Sequence, residues 1–99
     1  MPSYFTSKHA LIGLTKFLAA QVAKSGVTVN ALCPGSFDSP VNRQYFSPGP
    51  LLDAVSEATP MGRIGTDTEL RTAILFLAAP GSSFITGQAL VVDGGWTIW

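Results

Sequence analysis

Cysteine is all but missing. Cys33 stands alone, which excludes an internal disulfide and makes a reducing cytoplasm the natural compartment. His9 is the single histidine, and with neither residue at zinc spacing from a second ligand no metal site is expected. Charge is scarce as well: three Lys and three Arg, spread singly, balance six acidic side chains to a formal net charge of zero. That excludes the basic stripe of a nucleic-acid binder and leaves attraction to an anionic membrane surface without support. Long apolar runs are absent too. The best candidate, "ALIGLTKFLAAQVA", is broken by Lys16 and Gln21; it is too short for a bilayer and fits a signal peptide poorly. What remains is a chain of 99 residues, 46% hydrophobic and 12% charged, which suits one soluble globular domain or a piece of one.

The elements are legible in order. Leu11, Leu14, Leu18 and Val22 recur at three- and four-residue spacing, while Phe17, Ala10 and Ala20 widen the apolar surface. This predicts a helix over residues 4–24 that is covered on more than one side. Gly26 follows as a left-handed cap, and "VTVNALC" (27–33) is short and β-branched, a buried strand. Pro34 and Gly35 break it. From Pro34 to Gly65 lie five of the seven prolines, and apart from a short helix at "PLLDAVSEA" this stretch reads as a long lid or binding loop. "TDTE" (66–69) is a capping box that opens a helix faced by Leu70, Ile74 and Leu77. "ALVVDGG" then closes as a strand with a glycine turn. Helix, strand, lid, helix, strand implies two parallel strands joined by a right-handed crossover.

Chemistry enters with Tyr4 and Lys8, four residues apart on one face of the first helix. Spacing alone permits either a phenol activated by a cation or two surface side chains one turn apart. Combined with Val29-Asn30, Pro34-Gly35 and "ITGQALVVDGGW" in the same order, the pattern resembles the short-chain dehydrogenase/reductase family over essentially the whole chain. The implied fold is α/β, the C-terminal part of a Rossmann-like doubly wound parallel sheet. The implied activity is hydride transfer between NAD or NADP and an alcohol or ketone, with a sugar acid or polyol suggested by "DGGW" and "SFDSPVNRQYF".

The resemblance assigns Tyr4 as general acid/base and Lys8 as the cation that favours its phenolate and holds the nicotinamide ribose. An unassisted phenol, with a pKa of about 10, is a poor base at neutral pH. Tyr4, Lys8, Pro34, Gly35, Phe37 and Ser39 are the cofactor-contacting residues it implies, the last four around the nicotinamide carboxamide, with Ser39 in place of a commoner Thr. Asn30 ties strand to loop, Cys33 packs, and His9 is structural. Trp96 and Trp99 either anchor a neighbouring subunit, a homo-oligomer being what the resemblance implies, or pack against the chain's own lid. The remaining partner is a small-molecule substrate.

Other family features have no counterpart in these residues: the glycine-rich phosphate loop, the central Asn and the serine well upstream of the tyrosine. Residues 1–99 are therefore expected to be the C-terminal segment of a single domain, without its N-terminal cofactor-binding half, and inactive when isolated. The alternative is a truncated, catalytically inactive product acting at most as an association partner of an intact subunit. A fragment or miscalled start is the third possibility.

Overall fold

The computed structural model describes residues 2–98, apart from the side chains of Pro2, Tyr4 and Phe5. Five main elements run in order: helix α1 (Pro2–Val22), strand β1 (Ala31–Pro34), helix α2 (Pro50–Ala58), helix α3 (Asp67–Ala78) and strand β2 (Ala89–Val92). One-turn 3-10 segments follow α1 at Ala23–Ser25 and α3 at Pro80–Ser82. Gly26 takes φ 75° and donates its N–H to the Ala23 carbonyl, the left-handed cap that its lack of a Cβ makes cheap.

β1 and β2 form a two-stranded sheet. Ala31 N–H donates to the Gln88 carbonyl and Gly35 N–H to that of Val92, so both strands advance by four residues in the same direction. The pairing is parallel. Strand β1 is shorter and later than the 27–33 expected from β-branching. The reason lies in the side chains before it: Val29 N–H donates to the Thr86 hydroxyl, and the Asn30 amide donates to the Ile85 carbonyl while accepting from Gln88 N–H. Side-chain bonds thus interrupt the regular ladder ahead of Ala31, where the one backbone bond among the described residues runs from Gly87 N–H to the Val29 carbonyl. Asn30 does tie strand to loop, as expected.

The strand ends at Pro34-Gly35 as expected, with Pro34 its last residue, because the ladder needs no donor there and has its next bond at the Gly35 N–H. α2 matches "PLLDAVSEA", and α3 opens on the expected capping box: Thr66 N–H donates to the Glu69 carboxylate at 2.9 Å and Glu69 N–H to the Thr66 hydroxyl at 3.2 Å.

The chain divides into two compact units, one of residues 1–32 and 75–90 and the other of residues 33–74 and 91–99. In the first, buried Ala19 of α1 faces Gly87, where an added Cβ would lie 3.6 Å from the Ala19 Cβ. The wide apolar surface of α1 is uncovered within these 99 residues: Leu11, Leu14, Phe17 and Leu18 are 41–61% exposed. The burial on α1 falls at Thr15 and Ala19, on the stripe that borders Leu11. In the second unit Phe37 is buried to 5% exposure. No helix among the described residues is long and apolar enough to cross a membrane.

Candidate functional site

Of the residues singled out in the sequence, Tyr4 and Lys8 belong to the first unit, one turn apart on α1. Lys8 is exposed. The Tyr4 side chain, like Trp99, lies outside the described residues. Pro34, Gly35, Phe37 and Ser39 belong to the second unit, and the geometry there is detailed.

Gly35 leaves β1 against the exit of β2. A Cβ at Gly35 would stand 2.7 Å from the Asp93 Cβ and 2.8 Å from its Cα, so only glycine permits this approach. Asp93 itself closes the β2 turn. Its carboxylate accepts from Gly95 N–H at 2.9 Å, from Thr97 N–H at 3.1 Å and from the Thr97 hydroxyl at 2.8 Å. Burial pushes the Asp93 carboxyl up, but those hydrogen bonds outweigh it and hold it below its ordinary value. Gly94 and Gly95, with φ 63° and 94°, complete the turn, and the Gly94 carbonyl accepts from Met61 N–H.

Two residues on, Phe37 pairs with Gly65 in a parallel bridge. Gly65 N–H donates to the Ser36 carbonyl at 2.9 Å and Asp38 N–H to the Gly65 carbonyl at 2.8 Å. The Phe37 ring covers Gly65 so closely that a Cβ there would meet it at 2.3 Å. Ser39 begins a turn: its hydroxyl and carbonyl accept from Asn42 N–H, and the carbonyl also from Arg43 N–H. The Asn42 amide returns to the Phe37 carbonyl at 3.2 Å.

Sequence reasoning missed what lies behind this loop. Arg63 grips the Glu69 carboxylate with both terminal nitrogens, at 2.7 and 2.9 Å, and one of them also donates to the Ile64 carbonyl. The Arg63 fork, helped by Thr66 N–H, draws the exposed Glu69 carboxyl down to about 2. The capping box announced Glu69, but no local rule joins residues six apart across a helix start. A pocket of about 330 Å³ lies among Ser36, Phe37, Met61, Arg63, Gly65 and Asp93. A second, of about 530 Å³, is bounded by Asp38, Arg43, Phe46, Leu52 and Ile64.

Among the described residues, the N–H groups of Ser36 and Phe37 donate to no protein acceptor. The Ser39 hydroxyl uses its oxygen but not its proton. The loop after β1 therefore offers donors suited to a carbonyl oxygen. No group of His, Cys, Asp and Glu able to hold a metal ion occurs among the described residues.

Residues 1–97 match the family model described as enoyl-(acyl carrier protein) reductase. The chain is 44% identical over 97 residues to galactitol 2-dehydrogenase (L-tagatose-forming) of Cereibacter sphaeroides, covering 98% of this chain and 38% of that protein. Its fold matches a 4-hydroxyisoleucine dehydrogenase complexed with NADH at a TM-score of 0.88 and 35% identity, over 99% of this chain and 40% of the other. A putative 2-deoxy-D-gluconate 3-dehydrogenase from Agrobacterium tumefaciens with bound NADP matches at 0.86 and 35% identity, over 99% and 40%. The chain thus spans about two-fifths of the length of these relatives. Motif order, the α/β pairing and these matches agree: the chain belongs to the short-chain dehydrogenase/reductase family.

Proposed function

We propose that these residues are the C-terminal part of an NAD(P)-dependent oxidoreductase acting on the secondary alcohol or ketone of a polyol or sugar-derived substrate. The observation that carries the reading is the loop Gly35–Ser39, fixed on both sides by Val92 and Gly65 yet keeping the Ser36 and Phe37 N–H groups unspent. Those donors suit the carboxamide of a nicotinamide. The cofactor, when bound, supplies or accepts the hydride. This chain's residues do the rest: Tyr4 moves a proton at the substrate oxygen, Lys8 favours the ionised phenol and holds the ribose, and the loop orients the ring. Residues 41–58 form the lid and set substrate preference. NADH-bound and NADP-bound relatives both exist, and the choice belongs to residues beside the adenosine ribose. The polyol assignment is supported by the galactitol dehydrogenase relative and a cytoplasmic location by the lone cysteine.

The test is a chimera in which these 99 residues replace the matching segment of the galactitol 2-dehydrogenase. It should oxidise polyols with a nicotinamide cofactor, and Tyr4→Phe should lower the rate by roughly 10²-fold or more. A folded, cofactor-binding chimera whose turnover is unchanged by Tyr4→Phe removes Tyr4 from the mechanism. A second reading, a non-catalytic association partner of an intact subunit, is favoured by the exposed Leu11, Leu14, Phe17 and Leu18 on α1.

A further inference from the structure

The loop Gly35–Ser39 is braced on one side by regular structure, since Gly35 N–H donates to Val92 of β2. On its other side the brace is Gly65, which belongs to no helix or strand. A residue without a side chain cannot fix its own position, and although Met61 N–H is tied to the Gly94 carbonyl, Arg63 and Ile64, which lead into Gly65, make no backbone–backbone hydrogen bond among the described residues. Something else must hold it.

The hydrogen bonds show what does. Arg63 and Glu69 close a ring of contacts around residues 63–66: two guanidinium nitrogens on two carboxylate oxygens, one of them also on the Ile64 carbonyl, with Thr66 N–H and its hydroxyl on the same carboxylate. Gly65 is enclosed by this ring, and both its amide hydrogen and its carbonyl point into the bridge with Ser36 and Asp38.

We propose that Arg63 and Glu69 are positioning residues for the Gly35–Ser39 loop, acting through Gly65. The fork sets the place of the Gly65 peptide, and the Gly65 peptide sets where the Ser36 and Phe37 N–H groups are presented. A planar, two-point contact suits this task better than a single ammonium, because it fixes orientation as well as distance. The importance of the loop for cofactor rests on the function proposed above. The clamp itself rests only on the hydrogen bonds.

Amide hydrogen exchange on the 99-residue chain, resolved to single residues, tests it. Arg63→Gln should speed exchange at Asp38 and Gly65 about tenfold while Gly35, bonded to Val92, changes less than about twofold. Glu69→Gln keeps a side chain able to serve the capping box and should loosen the same two amides. Arg63→Lys, with one contact in place of two, should fall between. The proposal is overturned if Asp38 and Gly65 keep their parental rates in Arg63→Gln, or if Gly35 loosens equally, which would mean general destabilisation. In the chimera, Arg63→Gln should raise the cofactor KM several-fold and change kcat less. Altered exchange with an unchanged cofactor KM would leave the clamp standing and remove the nicotinamide role from the loop.

Discussion

Gly13 and Gly65 are both glycines beside large apolar side chains, and they meet opposite surroundings. A Cβ on Gly13 of α1 would touch nothing within 4 Å, and neighbouring Leu14 is 51% exposed; a Cβ on Gly65 would meet the Phe37 ring at 2.3 Å, and Phe37 is 5% exposed. The loop sequence is therefore answered by residues of its own unit. The α1 sequence, apolar well beyond the stripe its own unit buries, is not.

The contrast breaks most sharply at the glycines. Gly35→Ala places a methyl against the Asp93 backbone and should cost about 3 kcal/mol in denaturant unfolding. Gly13→Ala, in open space on a helix, should instead stabilise by up to ~1 kcal/mol. Equal effects at both sites would erase the distinction between the two regions. Next in size is association. The purified chain should sediment as oligomers through its α1 surface, and Leu14→Gln with Phe17→Glu should shift it toward monomer while changing stability by no more than about 0.5 kcal/mol per site. A parent chain that already sediments as a monomer would show that the exposed face has no tendency to associate.

The smallest effect is electrostatic. Glu69 has an ordinary value of 4.5 and is held at about 2 by Arg63 and Thr66. Because the folded value is the lower one, its contribution to stability is complete above about 4.5 and is lost as pH falls toward 2. Urea midpoints measured down that range should fall less steeply for Glu69→Gln than for the parent. The difference will be modest, since the pair is half exposed to solvent.

Much of this was readable in advance where cause and effect are close in the chain. Gly26, at φ 75°, caps the 3-10 turn that follows α1, and Thr66 and Glu69 cap α3 by a three-residue rule. Two things were not legible. The start of β1 depends on Thr86 and on Asn30 reaching Ile85 and Gln88, more than fifty residues away. The Arg63 fork depends on a turn that folds residue 63 back over the helix it precedes. Apolar periodicity also leaves open what covers α1, because it records what a helix can bury and not whether the partner surface lies in the same 99 residues.

The Phe37–Gly65 bridge has a consequence for changes in chain length. Residues 59–65 are pinned at three places, by Met61 to Gly94, by Gly65 to Ser36 and by Asp38 to Gly65, so one added residue there would slip the register and carry the site loop with it. Among the described residues no such ties occur between Phe46 and Gly49: Tyr45 and Phe46 N–H bond back to the Asn42 carbonyl, and Asp53 N–H bonds back to that of Gly49. An insertion at Ser47 or Pro48 lengthens a free loop, for which each doubling costs only about 0.6 kcal/mol. Variation in size can therefore collect at this one tip, reshaping the pocket bounded by Arg43, Phe46 and Leu52 while the amides of Ser36 and Phe37 stay where they are.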